Sequence, residues 1–192
     1  MTAPRGSGPV GVRHADVLRD GLKTARLVLR PFAAADLEAA VRGDDVLATH
    51  LGVPVEPGWM DFPEALPFFI DVLRAWPERA VWAMYGCFFG SERRLVGGSG
   101  FKGGPTAEGT VEIGYGIAPA FRGRGLAVEA ARGLVAFAFD HADVRAVLAH
   151  TLPAEGASPA VLARAGFTHA GTVVDPDDGP VWRWVLPRPS SF

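Results

Sequence analysis

VEIGYGIAPAFRGRGLAVEAARGLVAFAF, residues Val111 to Phe139, changes periodicity halfway along. Its first part, EIGYGIAP, reads as a strand that Pro119 closes. Its last part, from Gly125 onward, reads as a helix. Ala127, Ala131, Leu134, Val135 and Ala138 share one face, and apolar residues occupy much of the other side, so the helix is expected to be well buried. Between the two lies Arg122-Gly123-Arg124-Gly125-Leu126-Ala127. A helix N-terminus leaves main-chain N–H groups unpaired and carries a partial positive charge. Glycine there permits unusual backbone angles and close approach by a phosphate, and arginines add charge-assisted donors. The stretch reads either as a strand-to-helix turn with two solvated arginines or as a main-chain cradle for phosphate.

Outward from this centre the pattern alternates. TARLVLRPF (24–32) reads as a strand and AAADLEAAVRG (33–43) as a short helix ending at a glycine. Residues 44–61 show no clear period. FPEALPFFIDVLRAWP (62–77) reads as a second helix, with Pro67 starting it late or kinking it. AVWAMYGCFFG (80–90), RRLVGGSGFKGG (93–104) and TVEIGYGIAP (110–119) read as three strands of an antiparallel meander. After the long helix come VRAVLAHT as a strand, ASPAVLARAG as a helix, and FTHAGTVV and PVWRWVLP as strands joined by the turn DPDDG (175–179). The order predicts an α/β domain with a mixed sheet. A second glycine run, GSGFKG (98–103), matches a dinucleotide-binding spacing, but a strand follows it where that motif needs a helix, so it reads as a hairpin.

With 192 residues, 48% of them hydrophobic, the chain can bury one core. No apolar run approaches the ~18 residues of a membrane helix, and the start carries no secretory pattern. Residues 1–21 read as a flexible tail, and a cytoplasmic location is expected. The net charge of −2 gives no basic signature for nucleic acid. The single Cys87, in an apolar stretch, reads as a buried small hydrophobe rather than a nucleophile. His14, His50, His141, His150 and His169 lack metal-ligand spacing, so no metal is expected. Residues 43–73 contain no Lys or Arg but six acids, Asp44, Asp45, Glu56, Asp61, Glu64 and Asp71.

Taken together, these segments resemble the GNAT superfamily of acetyl-CoA-dependent N-acetyltransferases. The family's pattern of a strand, Arg/Gln-x-x-Gly-x-Gly/Ala and a helix falls on Arg122, Gly125 and Ala127. Downstream, Ser158 and Gly166-Phe167 match the family's next strand–helix segment. TARLVLRPF with DLEAA resembles its opening strand and helix, and ARLVLRPF with VEIGYGIAP most resembles the ribosomal-protein N-terminal acetyltransferase branch. The resemblance implies a GNAT-type mixed, mostly antiparallel central sheet flanked by helices, with residues 22–188 as the acetyltransferase domain. One departure is Glu155, where the family often has Asn.

That resemblance also implies roles. Acetyl-CoA would be the co-substrate, with main-chain amides from Arg122 through Gly123, Arg124, Gly125 and Leu126 to Ala127 holding its diphosphate. The backbone of Gly116 and Ile117 would pair with the pantetheine arm and polarise the thioester. Glu112 is the candidate base, in a strand whose other residues are apolar or glycine and whose burial would bring its ionisation toward neutrality; the alternative is a solvated strand residue. Ser158 is the candidate proton donor to the leaving thiolate, or else a helix N-cap with Pro159 at the first helical position. Tyr115 is a second candidate acid. The acidic segment would attract a cationic amine, or is a solvated loop. The acceptor would be a protein N-terminus or a small primary amine, and strand edges leave room for a homodimer. The rival reading is a non-catalytic acyl-CoA-binding sensor domain.

Overall fold

A computed structural model describes residues 13–176 and 179–189. Its centre is an eight-stranded sheet in the order β1-β2-β3-β4-β5-β6-β8-β7. The strands are β1 (Leu22–Lys23), β2 (Leu27–Pro31), β3 (Met84–Phe89), β4 (Arg94–Phe101), β5 (Thr110–Ile117), β6 (Ala146–Thr151), β7 (Thr168–Asp175) and β8 (Gly179–Pro187). All neighbours pair antiparallel except β5 and β6, which are parallel. A parallel pair needs a crossover, and the helix α5 (Leu126–Phe139) supplies it.

Helices cover the sheet on both faces. On one face α5 and α6 (Ala157–Ala165) bury Leu126, Leu134, Phe137 and Leu162 against Leu27, Leu29, Tyr85, Val96, Val111, Ile113 and Val147. On the other, α2 (Ala34–Val41), α3 (Asp44–Leu51) and α4 (Leu66–Ala75) bury Leu37, Leu47, Ile70 and Leu73 with Phe32, Trp59 and Leu95. This second layer packs on residues of β3 and β4, not of β5 or β6. Among the described residues no helix is long and apolar enough to cross a membrane.

The α/β mixed-sheet expectation holds, and the structure adds detail. The second predicted strand, 80–90, begins only at Met84, because Pro77–Trp82 form a 3-10 turn. Pro67 lies in the first turn of α4, where a missing N–H costs nothing. The stretch from Asp44 holds a helix, α3, bounded by Gly43 and by Gly52 in the left-handed conformation. It buries only Leu47, which is why it leaves no periodic signal.

The expected flexible tail to Gly21 needs correction in part. Residues 1–12 lie outside the described residues, but α1 (His14–Asp20) is a helix that buries Val17 in the larger core. Asp177 and Asp178 of the predicted turn also lie outside them. A histidine pair fastens α1 to the end of α5. His141 Nδ1 lies 2.8 Å from the Phe137 carbonyl, which makes Nδ1 the protonated nitrogen and leaves Nε2 to accept from His14 Nε2 at 2.7 Å. Trp82 stacks edge-on against both rings.

This pair makes the docking of α1 sensitive to pH. Burial, and then the adjacent His141, lower the His14 pKa from its ordinary 6.5, while Asp143 pulls the other way. The undocked imidazole therefore holds its proton more tightly. The contribution of the contact is complete above about pH 6.5 and is lost as pH falls through the lowered folded value. Acidification below about pH 6.5 is expected to change the tryptophan fluorescence, since Trp82 lies against both rings, in a transition that His14→Phe removes. An identical transition in that variant would place the titration elsewhere.

Candidate active site

The residues of β5 build the site from the backbone outward. At one end of its pairing with β4, the Lys102 N–H donates to the Glu112 carbonyl; at the other, the Ala118 N–H donates to the Val96 carbonyl. Antiparallel alternation then directs the even-numbered residues of β5 at β4 and the odd-numbered ones at β6. β6, however, pairs with β5 only over Thr110–Glu112, against Ala146–Leu148. Beyond Glu112 the two strands part. The main-chain groups of Tyr115 and Ile117 thus face a wedge with no strand in it among the described residues. This corrects the expectation for Gly116, whose main chain is directed at β4, and keeps Ile117 on the open edge. The Ile117 carbonyl accepts the Arg122 Nε at 2.8 Å, and its N–H has no partner among the described residues.

The wedge leads to the loop before α5. Gly123 and Gly125 have φ of 74° and 75°, a left-handed conformation that costs other residues ~1–2 kcal/mol. A Cβ at Gly123 would meet nothing within 4 Å, and one at Gly125 only Arg26 at 3.7 Å. Conformation and open space, not crowding, are what glycine supplies here. Gly125 is the N-cap of α5 and brings no side chain to cap it, so the first-turn amides of Leu126 and Ala127 point into that space. Arg124 stacks over the Phe121 ring at 4.7 Å. Arg122 is more than half exposed and also reaches Asp61, at 3.6 Å. The donor set suits a diphosphate: unpaired amides, a helix dipole and two guanidinium groups.

A brace that the sequence does not announce holds this loop. Glu129, in the first turn of α5, accepts from Thr24 Oγ1 and the Arg26 N–H, each at 2.6 Å, and from Arg26 Nε at 2.8 Å. Arg26 Nη1 in turn donates to the Arg124 carbonyl at 2.8 Å. Burial pushes the Glu129 carboxyl up, but these hydrogen bonds outweigh it and leave its pKa lowered. The brace therefore persists at neutral pH. Its partners stand 103 residues apart along the chain.

Glu112 stands on the open face of β5, but its surroundings are not the apolar ones expected. Lys102 Nζ lies 2.6 Å from its Oε1, and His150 Nδ1 lies 3.0 Å away without hydrogen-bond geometry. Both partners come from elsewhere in the fold, the turn after β4 and β6. Ser158 is exposed in the first turn of α6, and its hydroxyl has no hydrogen-bond partner among the described residues. It is not the N-cap: Gly156 is, and Pro159 is the third helical residue. The Tyr115 hydroxyl donates to the Ser158 carbonyl at 3.2 Å, and burial raises its pKa. Glu155 is exposed beside this turn. Cys87 is fully buried, donates to Ser99 Oγ at 3.3 Å and has its thiol pushed up to about 12 by burial, which leaves it inert as a nucleophile. No group of three or more His, Cys, Asp or Glu side chains could hold a metal among the described residues.

Comparison with known proteins gives a consistent picture. A family model described as an acetyltransferase (GNAT) domain matches residues 26–168. An uncharacterised N-acetyltransferase of Bacillus subtilis (strain 168), YjdG, is 30% identical over 148 residues, covering 76% of this chain and 88% of that protein. Among solved structures, the microcin C7 self-immunity acetyltransferase MccE, in complex with acetyl-CoA and AMP, superposes with a TM-score of 0.66 at 15% identity, covering 91% of this chain and 99% of that one. Mycobacterium smegmatis RimJ, in complex with a CoA disulfide, gives 0.59 at 23% identity, covering 84% and 81%. The two structural likenesses establish a shared fold.

If the loop amides grip a diphosphate, Gly125→Glu should weaken CoA binding by at least about thirtyfold in calorimetry, because it strains the left-handed turn and puts an anion in the cradle. The circular dichroism spectrum should stay that of the parent. Unchanged CoA affinity would count against the cradle.

Proposed function

The chain belongs to the GNAT acetyltransferase family, and from that premise we propose that it transfers an acetyl group from acetyl-CoA to a primary amine, with residues 22–188 as the working domain. The acceptor is a peptide or protein N-terminus or a small amine, and the setting is cytoplasmic. The observation that carries the reading is the separation of β5 from β6 after Glu112, which leaves the Tyr115 and Ile117 edge bare beside the Arg122–Ala127 loop. Acetyl-CoA supplies the acetyl group in activated form, as a thioester.

Each residue then has a task. The amides of Gly123, Arg124, Gly125, Leu126 and Ala127, with the Arg122 and Arg124 guanidinium groups, hold the diphosphate. The N–H groups of Tyr115 and Ile117 hold the pantetheine arm in place of a β-strand and draw electron density from the thioester carbonyl. Glu112, directly or through water, takes the proton that the amine must lose as its nitrogen bonds to the carbonyl carbon. As the carbon–sulfur bond breaks, the exposed Ser158 hydroxyl gives a proton to the sulfur and regains one from solvent, to which Glu112 returns the proton it took. Ser158 suits this better than Tyr115, whose proton is already engaged with the Ser158 carbonyl.

Thiol release from acetyl-CoA over a panel of peptides and small amines tests the activity. Turnover with at least one amine is expected. CoA binding with no turnover on the whole panel would favour the sensor reading. With a peptide acceptor, Glu112→Gln should lower kcat/KM by about a hundredfold near neutral pH and by much less near pH 10, where an α-amine is already uncharged. A constant ratio across pH would remove Glu112 from the mechanism.

A further inference from the structure

Gly98 of β4 and Gly116 of β5 are cross-strand partners, so neither brings a side chain to the face opposite α5. The segment 56–61 fills part of that space. The Glu56 N–H donates to the Leu95 carbonyl at 2.9 Å, and its carboxylate pairs with Arg94 at 3.2 Å. Trp59, 3% exposed, lies over Gly98, edge-on to Phe32, and its Nε1 donates to Asp44 at 3.1 Å. Two residues on, Asp61 Oδ2 occupies the place that a Cβ on Gly116 would take. Only glycine at 116 leaves room for that carboxylate. The buried tryptophan, the ion pair and the missing side chain together place Asp61 on β5 from outside.

Asp61 is set apart from the other acids of 43–73 by its place against Gly116 of β5. Asp44 and Glu56 are engaged by Trp59 and Arg94, and Asp71 only by a long contact with Arg74. Among the described residues Asp61 meets one cation, Arg122, at 3.6 Å, and that guanidinium already gives its Nε to Ile117. Between Asp61 and Glu112 the same face of β5 offers only Gly114, which is exposed and where a Cβ would meet nothing within 4 Å. The result is a slot about 13 Å long, from residue 112 to residue 116, with a main-chain floor and a carboxylate at each end. Lys102 already occupies the Glu112 end.

We propose that Asp61 is the residue that binds the positive charge of the amine acceptor, seating a primary ammonium in the slot over Gly114. The inference rests on the acetyltransferase reading for the identity of the slot as the acceptor side. Its chemistry calls for a slender cation, a chain-end ammonium, that can reach a carboxylate across a glycine floor.

Calorimetry in the presence of CoA tests this without requiring turnover. The probes are tetra-alanine amide with a free N-terminus, spermidine and benzylamine, titrated into the full chain and into Asp61→Asn. The side chain is exposed, so the variant should fold normally. Every probe that the parent binds should lose about tenfold or more in affinity, as expected for one charge-assisted hydrogen bond, while CoA affinity moves less than about twofold. Equal amine affinity in parent and variant overturns the inference. So does a matching loss of CoA affinity, which would make Asp61 a brace for Arg122, and so does a parent that binds none of the three. A parent that binds amines through Asp61 yet releases no thiol supports this inference while refuting the activity proposed above.

Discussion

β5 and β6 pair for three residues and then diverge, and the rest of the molecule is arranged about that divergence. Each strand is complete on its far side: β5 stays bonded to β4 through Ile117, and β6 to β8 through Thr151. The cost falls on the inner edges, where main-chain groups of β5 lack a strand partner. The fold therefore presents main-chain hydrogen-bonding groups at a fixed place and in extended geometry. The crossover that a parallel pair requires starts at the same end of β5, so the loop before α5 opens beside the wedge as a consequence of topology.

Glycine serves that arrangement in two different ways. At Gly123 and Gly125 the backbone angle is the reason, and the space beyond the missing side chain is open. At Gly98 and Gly116 the backbone is ordinary strand, and the missing side chain makes room for Trp59 and Asp61. A strand interior with this much glycine is weak by propensity alone. Packing from the other face compensates, where Val111, Ile113 and Ile117 alternate with the glycines and bury against α5. One strand is thus hydrophobic core on one side and an empty floor on the other.

What could be read in the sequence follows from how far each signal extends along the chain. The strand–loop–helix stretch 111–139 was legible because period two gives way to a long helical period at an Arg-Gly-Arg-Gly run. α1 and α3 were not, because each buries a single residue, Val17 and Leu47, and one buried position has no period. Glu112 could be picked out, but its surroundings could not. Lys102 and His150 reach it from other segments, and nothing local to EIGYG predicts either. Ser158-Pro159 carried the pattern of a cap, yet Gly156 takes that position, since the helix starts two residues earlier than proline at N1 would require. The Arg26–Glu129 brace left no local mark at all.

Arg122 shows why these long-range contacts matter for the site as a whole. Its Nε is committed to the end of β5, and one terminal nitrogen extends to Asp61. The two contacts differ in weight. The first is a short hydrogen bond to a part-buried main chain, which ties the loop to the strand edge. The second is a long ion pair between exposed side chains, a type worth between nothing and ~1 kcal/mol in water. The cradle therefore keeps its shape whether or not Asp61 is engaged, and Asp61 gives up little when it turns to another cation. A diphosphate beside Arg122 would attract the same terminal nitrogen, so filling the cradle and releasing Asp61 act in the same direction on one guanidinium group.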